Sequence, residues 1–432
     1  MTGGKCVSDF KIGDDQRRRA TDQLEKLREA NEGRLAWDTE APADFTYLYD
    51  PDHVLVLADD RADLEGALRR LDRAFERVPL DPDDDGQDGE DETLFRYLLP
   101  DRREGESIGD VIDELEADAG LARGRITPDH WIHIAPTGKG TACPATEPEE
   151  TGLCEPWPPV YDDSRGKGVQ VVVVDTGWHP PAATNPATPW LEGVDGDDEN
   201  NASPLREYAG HGTHIAGVVR CLAPATSVFV EGFAVNGIGG GGILESQMVR
   251  QLREAMAHKP QVISMSAGLR TRHDLPSLVF QRFHDHHLKD ADCVLVAAAG
   301  NDTSPAPFWP AAFDWAVGVG ALDRDLRVSD FSNYGVSADV YTVGRNIVNA
   351  FPDGEYVCFE TPHKGDVREF KTGLARWSGT SFSTPIVAGL IAAEISASGA
   401  DARTARDTVL ARAVYRSDPT VGPIKVLDWN DF

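Results

Sequence analysis

The sequence predicts an α/β protein with a central, mostly parallel sheet, preceded by a small α+β domain. Three stretches carry the α/β part. Residues 171–175 (VVVVD) are an all-apolar, β-branched run closed by a carboxylate, the pattern of a strand covered on both faces. Residues 210–217 (GHGTHIAG) lead small residues into a helix. Residues 377–385 (WSGTSFSTP) run straight into the apolar stretch IVAGLIAAEI, with Ser381 at or near the first turn of a helix and Pro385 expected in that same turn. Alternating strand and helix patterns upstream of residue 137 supply the α+β part.

The elements follow in order. Residues 14–32 read as a polar helix with Ala20, Leu24, Leu27 and Ala30 at helical spacing, a solvated helix lying on something else. TYLYD and HVLVLAD read as strands, and RADLEGALRRLDRAFERV as an amphipathic helix with Leu64, Leu68, Leu71 and Phe75 on one face. DPDDDGQDGEDE lacks the ligand spacing of an EF-hand and reads as a loop of repelling carboxylates. LFRYLLP and HWIHIAP are strands flanking the helix IGDVIDELEADAG. The chain divides into a helical extension (1–44), the small α+β domain (45–136), a linker rich in Pro, Thr and Glu (137–159) and a main domain (160–432).

In the main domain, residues 194–201 (VDGDDENN) offer oxygen ligands, read as a plain acidic loop with a Ca²⁺ site as the minority alternative. Residues 227–235 read as a strand. The glycine run 237–242 lacks the lysine of a phosphate loop. A helix over 245–258 and strands ending at Gly268, Asn301 and Ala321 follow. The HDHH cluster (284–287) reads as a solvated stretch of polar helix. EYVCFE and REFKTG, between residues 351 and 376, predict a β-hairpin, residues 401–416 a helix, and IKVLDW a closing strand.

Composition excludes whole classes. The formal charge is −30, from 72 acidic against 42 basic residues, a surface that repels phosphate backbones, so no nucleic-acid partner is expected. No run approaches the ~20 apolar residues of a membrane span, so no membrane partner is expected either. The start of the chain is polar and charged, without an apolar leader, which predicts a cytoplasmic setting, with secretion as the alternative. Of the six cysteines, Cys221 and Cys293 sit in apolar contexts and read as buried thiols; Cys143 and Cys154 would pair only in an oxidising compartment. Neither CxxC nor Cys/His metal spacing occurs, so no zinc is expected.

A carboxylate beside a histidine beside a serine is a proton-relay arrangement. The carboxylate fixes the imidazole tautomer, and the imidazole takes the serine proton. The three stretches resemble the subtilisin-like serine peptidases (subtilases) in their D-T-G strand end, H-G-T-H-x-A-G helix start and G-T-S-x-(S/A)-x-P elbow, in the order Asp, His, Ser known for subtilisin. The resemblance runs from about residue 169 to the end of the chain. It implies a subtilisin-like three-layer fold and a serine endopeptidase working through an acyl-enzyme, with peptide or protein substrates and no required cofactor. It assigns Asp175 as orienter, His211 as general base and acid, Ser381 as nucleophile and Asn301 as oxyanion donor. It assigns Gly240, Gly241, Gly242, Ser266, Ala267 and Gly268 to the substrate backbone, and gives His214 a structural role. By position and element order, residues 45–136 resemble a subtilase propeptide, with a permanent regulatory domain as the rival. At the level of function the rival class is a regulatory peptide-binding protein whose cleft is held by its own N-terminal domain. A maturation protease for one specific precursor is a narrower form of the first class.

Overall fold

The computed structural model describes residues 14–31, 34–39, 45–81, 93–133, 145–232 and 242–432. The N-terminal part comprises α1 (Asp14–Ala30), β1 (Ala36–Trp37), β2 (Leu48–Leu57), α2 (Ala58–Arg70), β3 (Glu76–Val78), β4 (Leu94–Leu98), α3 (Ile108–Ala119) and β5 (Ile126–His133). Strands β5, β2, β4 and β3 pair antiparallel in that order. Val54, Val56, Leu64, Leu68, Tyr97, Ile112 and Leu115 close a core of their own beneath α2 and α3. Helix α1 buries Leu24 and Leu27 against Phe45, Leu48 and Trp131.

Two expectations fail here for the same reason: strand pairing overrides local periodicity. TYLYD and HVLVLAD are one strand, β2, with a register shift between Tyr49 and Val54. The helix expected to reach residue 78 stops at Arg70, and Asp72 turns the chain at φ 53°. Residues 76–78 then leave the helix to form the sheet edge β3 on β4.

The rest of the chain contributes β6 (Glu149–Glu150), β7 (Gln170–Asp175), β8 (Asp195–Gly196), α4 (His211–Leu222), β9 (Ser227–Gly232), β10 (Gly242–Leu244), α5 (Glu245–Ala257), β11 (Val262–Met265), α6 (Leu278–Phe283) and β12 (Val294–Ala298). It continues with β13 (Val317–Leu322), β14 (Val340–Val343), β15 (Ile347–Ala350), β16 (Gly354–Val357), β17 (Val367–Phe370), β18 (Leu374–Trp377), α7 (Thr380–Ser398), α8 (Ala402–Ala411), β19 (Val414–Asp418) and β20 (Gly422–Val426). A 9-stranded sheet runs β19-β20-β14-β13-β12-β11-β7-β9-β8. Every pairing in it is parallel except β19 with β20. Val171 to Val174 are completely buried, as a doubly covered strand requires. Helix α7 is long and apolar enough to cross a membrane, but 78% of that window is buried inside the molecule. It is a core helix.

The predicted hairpin is present as β16–β17. The last helix, α8, ends at Ala411, and residues 414–416 enter β19 instead. The strand expected over 227–235 is β9, ending at Gly232; Phe233 to Val235 lie outside the described residues. The HDHH stretch is a π-helical turn in which His284 stacks on Trp315 at 4.9 Å. Cys221 and Cys293 are buried free thiols and Cys154 is an exposed one; Cys143 lies outside the described residues.

Candidate active site

Strand β7 delivers Asp175 to the carboxyl edge of the sheet, where open α/β sheets place their sites. Its Oδ1 accepts the Thr176 N–H at 2.7 Å and meets His211 Nδ1 at 2.6 Å. Both side chains are fully buried. A carboxylate only accepts, so the shared proton sits on Nδ1 and leaves the Nε2 lone pair open. Nε2 has no hydrogen-bond partner. His211 opens α4, and the next residue explains physically how closely the two stretches meet. A Cβ on Gly212 would stand 2.5 Å from the Gly177 carbonyl oxygen, while the Gly212 N–H donates to Thr176 Oγ1 at 3.1 Å. Only glycine lets the helix start lie this close to the strand end.

Ser381 is in the first turn of α7 and is fully buried, its Oγ without a partner. The His211 ring packs against Trp377 and Phe382, each with centroids at 5.3 Å, so it lies beside the neighbours of Ser381 in sequence. Pro385 lies beyond the first turn, inside the helix. There its missing N–H deprives the carbonyl four residues earlier, Ser381 O, of its donor. The Ser266 hydroxyl fills the vacancy at 3.0 Å. Ser266, expected to line a substrate pocket, thus braces the backbone of Ser381; Ala267 beside it is buried.

Asn301 Oδ1 accepts the Thr380 N–H at 2.8 Å and the Thr380 hydroxyl at 3.0 Å. That fixes its amide end toward Gly379, where an added Cβ would be 3.5 Å from Asn301 Nδ2. His214 is three residues beyond His211, against Phe382 at 4.9 Å. Burial first, and then the neighbouring His211, hold it down at about 3. It is a neutral packing group.

Sequence reasoning missed Glu199. Its Oε2 accepts the Gly210 N–H at 2.8 Å, one residue ahead of His211, and so anchors the start of α4. Its spacing within VDGDDENN did not set it apart from its acidic neighbours. Among the described residues no group of three or more His, Cys, Asp or Glu side chains could hold a metal ion. Burial pushes Glu199 from 4.5 up to about 7. A carboxyl raised by folding contributes its stability below the unfolded value and loses it as pH climbs to the folded one. The loss between pH 4.5 and about 7 is on the order of 3 kcal/mol. Glu199→Gln keeps an acceptor for Gly210 without a titrating charge. Its melting temperature should exceed wild type at pH 8, with the advantage vanishing or reversing at pH 5; identical pH profiles for the two proteins would rule this out.

Of the positions expected to meet a substrate backbone, Gly242 and Gly268 pair with the chain itself. His133 donates its N–H to Gly268 O at 3.0 Å and accepts the Gly268 N–H at 3.2 Å. On its other edge β5 pairs antiparallel with β10, Gly242 facing His133. Gly240 and Gly241 lie outside the described residues. Further along the chain, the Ala145 N–H donates to Ser378 O at 2.9 Å, and Trp377 Nε1–H donates to Thr146 O at 2.5 Å. The chain thus pairs with Gly268 through His133 and with Ser378, three residues ahead of Ser381, through Ala145.

A sequence profile described as the subtilase family matches residues 166–422. An intracellular serine protease of Paenibacillus polymyxa is 28% identical over 254 residues, 54% of this chain and 69% of that protein. Thermitase of Thermoactinomyces vulgaris is 28% identical over 266 residues, 58% of this chain and 83% of that protein. Among solved structures, fervidolysin from Fervidobacterium pennivorans aligns with a TM-score of 0.56 at 18% identity, over 88% of this chain and 60% of that one. That last likeness concerns the fold alone.

Proposed function

The chain belongs to the subtilase family of serine proteases, the premise from which we propose a serine endopeptidase whose triad is Asp175, His211 and Ser381. The observation that carries the assignment is the buried 2.6 Å contact of His211 Nδ1 with Asp175, which leaves Nε2 unpartnered beside the start of α7. In the proposed reaction Ser381 Oγ attacks the scissile carbonyl carbon while His211 Nε2 takes the hydroxyl proton. The oxyanion forms against the Ser381 N–H and the Asn301 amide, where pre-aimed donors stabilise developing charge. Collapse breaks the C–N bond, and His211 returns the proton to the departing amine. Water, deprotonated by His211, then hydrolyses the ester and frees Ser381.

The same reading takes the region up to His133 as a built-in inhibitor. Strand β5 takes the place a substrate strand would have, pairing with Gly242 and hydrogen-bonding Gly268 through its backbone. Cleavage within the linker would then open the site. The occupied cleft equally supports the rival, a binding protein closed by its own N-terminal domain, and one experiment separates them. A fluorophosphonate probe should label wild-type protein once the N-terminal region has been lost, and should not label Ser381→Ala. Shortened wild type that stays unlabelled, or a variant that labels equally, would end the peptidase assignment.

A further inference from the structure

The stretch following Ala145 does more than pass the cleft. Its Pro148 carbonyl accepts from Arg368, and β6 pairs antiparallel with β18, Glu149 opposite Arg376 and Glu150 opposite Ala375. Glu150 accepts the Glu369 N–H at 3.0 Å. Residues 145–150 therefore lie in a groove whose walls are β17 and β18, part of the segment between residues 351 and 377. Within that groove one side chain is buried and specifically satisfied. Glu147 is 8% exposed, and its Oε1 accepts the Tyr356 hydroxyl at 3.1 Å and the Phe359 N–H at 2.9 Å. Glu360 stands near by, itself 1% exposed and tied to Arg19 and Gln23 of α1.

We propose that this groove docks the leaving side of protein substrates, and that the Tyr356–Phe359–Glu360 pocket selects a Glu or Gln side chain there. The proposal rests on the peptidase reading above. The seated occupant is this chain's own segment, and a substrate docking in the groove takes its place. The edge of β18 that β6 occupies here supplies the backbone pairing, as in strand addition. The pocket supplies the selection: two donors converge on one oxygen, and the Glu360 carboxylate, which holds Arg19 and Gln23 of α1 here, is the acceptor beside it once α1 is lost. A carboxamide matches that set, and so does a protonated carboxyl. Burial, and then Glu360, push Glu147 up, against the Phe359 N–H and the Tyr356 hydroxyl, which favour the charged form. Ala or Leu in the pocket would leave the Tyr356 hydroxyl and the Phe359 N–H buried without a partner, which is the costly outcome.

The test uses processed wild-type enzyme on a proteome-derived peptide library, with the new termini sequenced. Cleaved peptides should be enriched about 5- to 10-fold in Glu or Gln at one fixed position downstream of the cut, the size expected of one or two such hydrogen bonds. Tyr356→Phe keeps the ring and removes one donor. It should cut that enrichment to about 2-fold or less, leaving the melting temperature and the preferences upstream of the cut as in wild type. Cleavage without downstream enrichment, or enrichment untouched by Tyr356→Phe, overturns the pocket and leaves the peptidase standing. A library left uncleaved by processed enzyme overturns the peptidase reading, and the pocket with it.

Discussion

Ser381→Ala is expected to keep its N-terminal region while the wild type loses it, and its turnover of peptides should fall about 10⁶-fold. That factor is carried over from subtilisin, a member of the same family. The structure says why the loss should be chemical and not a failure to fold. Ser381 Oγ makes no hydrogen bond, so its removal orphans no partner. The backbone brace from Ser266 to Ser381 O and the Asn301–Thr380 contacts do not involve the hydroxyl. The melting temperature of the variant should therefore match that of unprocessed wild type. N-terminal sequencing and mass spectrometry of the two proteins, expressed side by side, decide the matter. A variant that shortens at the same bond shows an outside protease at work and removes self-processing from the account.

The parts of this site legible in the sequence are those whose physical requirement shows in a few consecutive residues. VVVVD announces a doubly covered strand because burial on both faces demands uninterrupted apolar side chains. GHGTHIAG and WSGTSFSTP announce helix starts because only small residues permit the close approach that Gly212 shows against Gly177. What stayed illegible depends on contacts made across long stretches of chain. Pro385 was expected in the first turn. It sits deeper, and that position is tolerable because Ser266, |i−j|=115 from Ser381, replaces the lost donor. Glu199 looked like one acid among several until the fold buried it against Gly210. The linker gave no sign that Glu147 would be enclosed by Tyr356 and Phe359, more than two hundred residues away. Periodicity registers which face of an element is apolar. It carries no information about which distant polar group will complete a hydrogen bond.

The hold of the N-terminal domain on the rest of the chain depends on similar long-range completion, and Arg96→Met should break it. Arg96 is buried in β4, its Nε 2.7 Å from Asp129 and its Nη2 3.3 Å from Asp50. Asp129, completely buried in β5, accepts the Ser246 N–H at 3.0 Å and the Ser246 hydroxyl at 2.7 Å. It thereby joins the N-terminal sheet to the first turn of α5, where a helix favours negative charge. Methionine preserves the apolar stem but leaves carboxylates in the interior without their cation. Removing one partner from a buried ion pair costs about 3–5 kcal/mol. Burial already raises the carboxyl of Asp129, against the pull of Arg96; without the arginine it would rise further. The folded state then binds its proton more tightly than the unfolded one, so the deficit is largest at neutral pH and shrinks as pH falls toward the ordinary carboxylate range. In a Ser381→Ala background, which keeps the chain intact, hydrogen exchange at residues 126–133 should accelerate and the melting temperature should drop at pH 7. Adding Asp129→Asn, which keeps an acceptor for the Ser246 N–H without a charge, should recover part of the loss. Unchanged exchange in Arg96→Met at pH 7 would mean that β5 is held in the cleft by its backbone pairing with β10 and Gly268 alone.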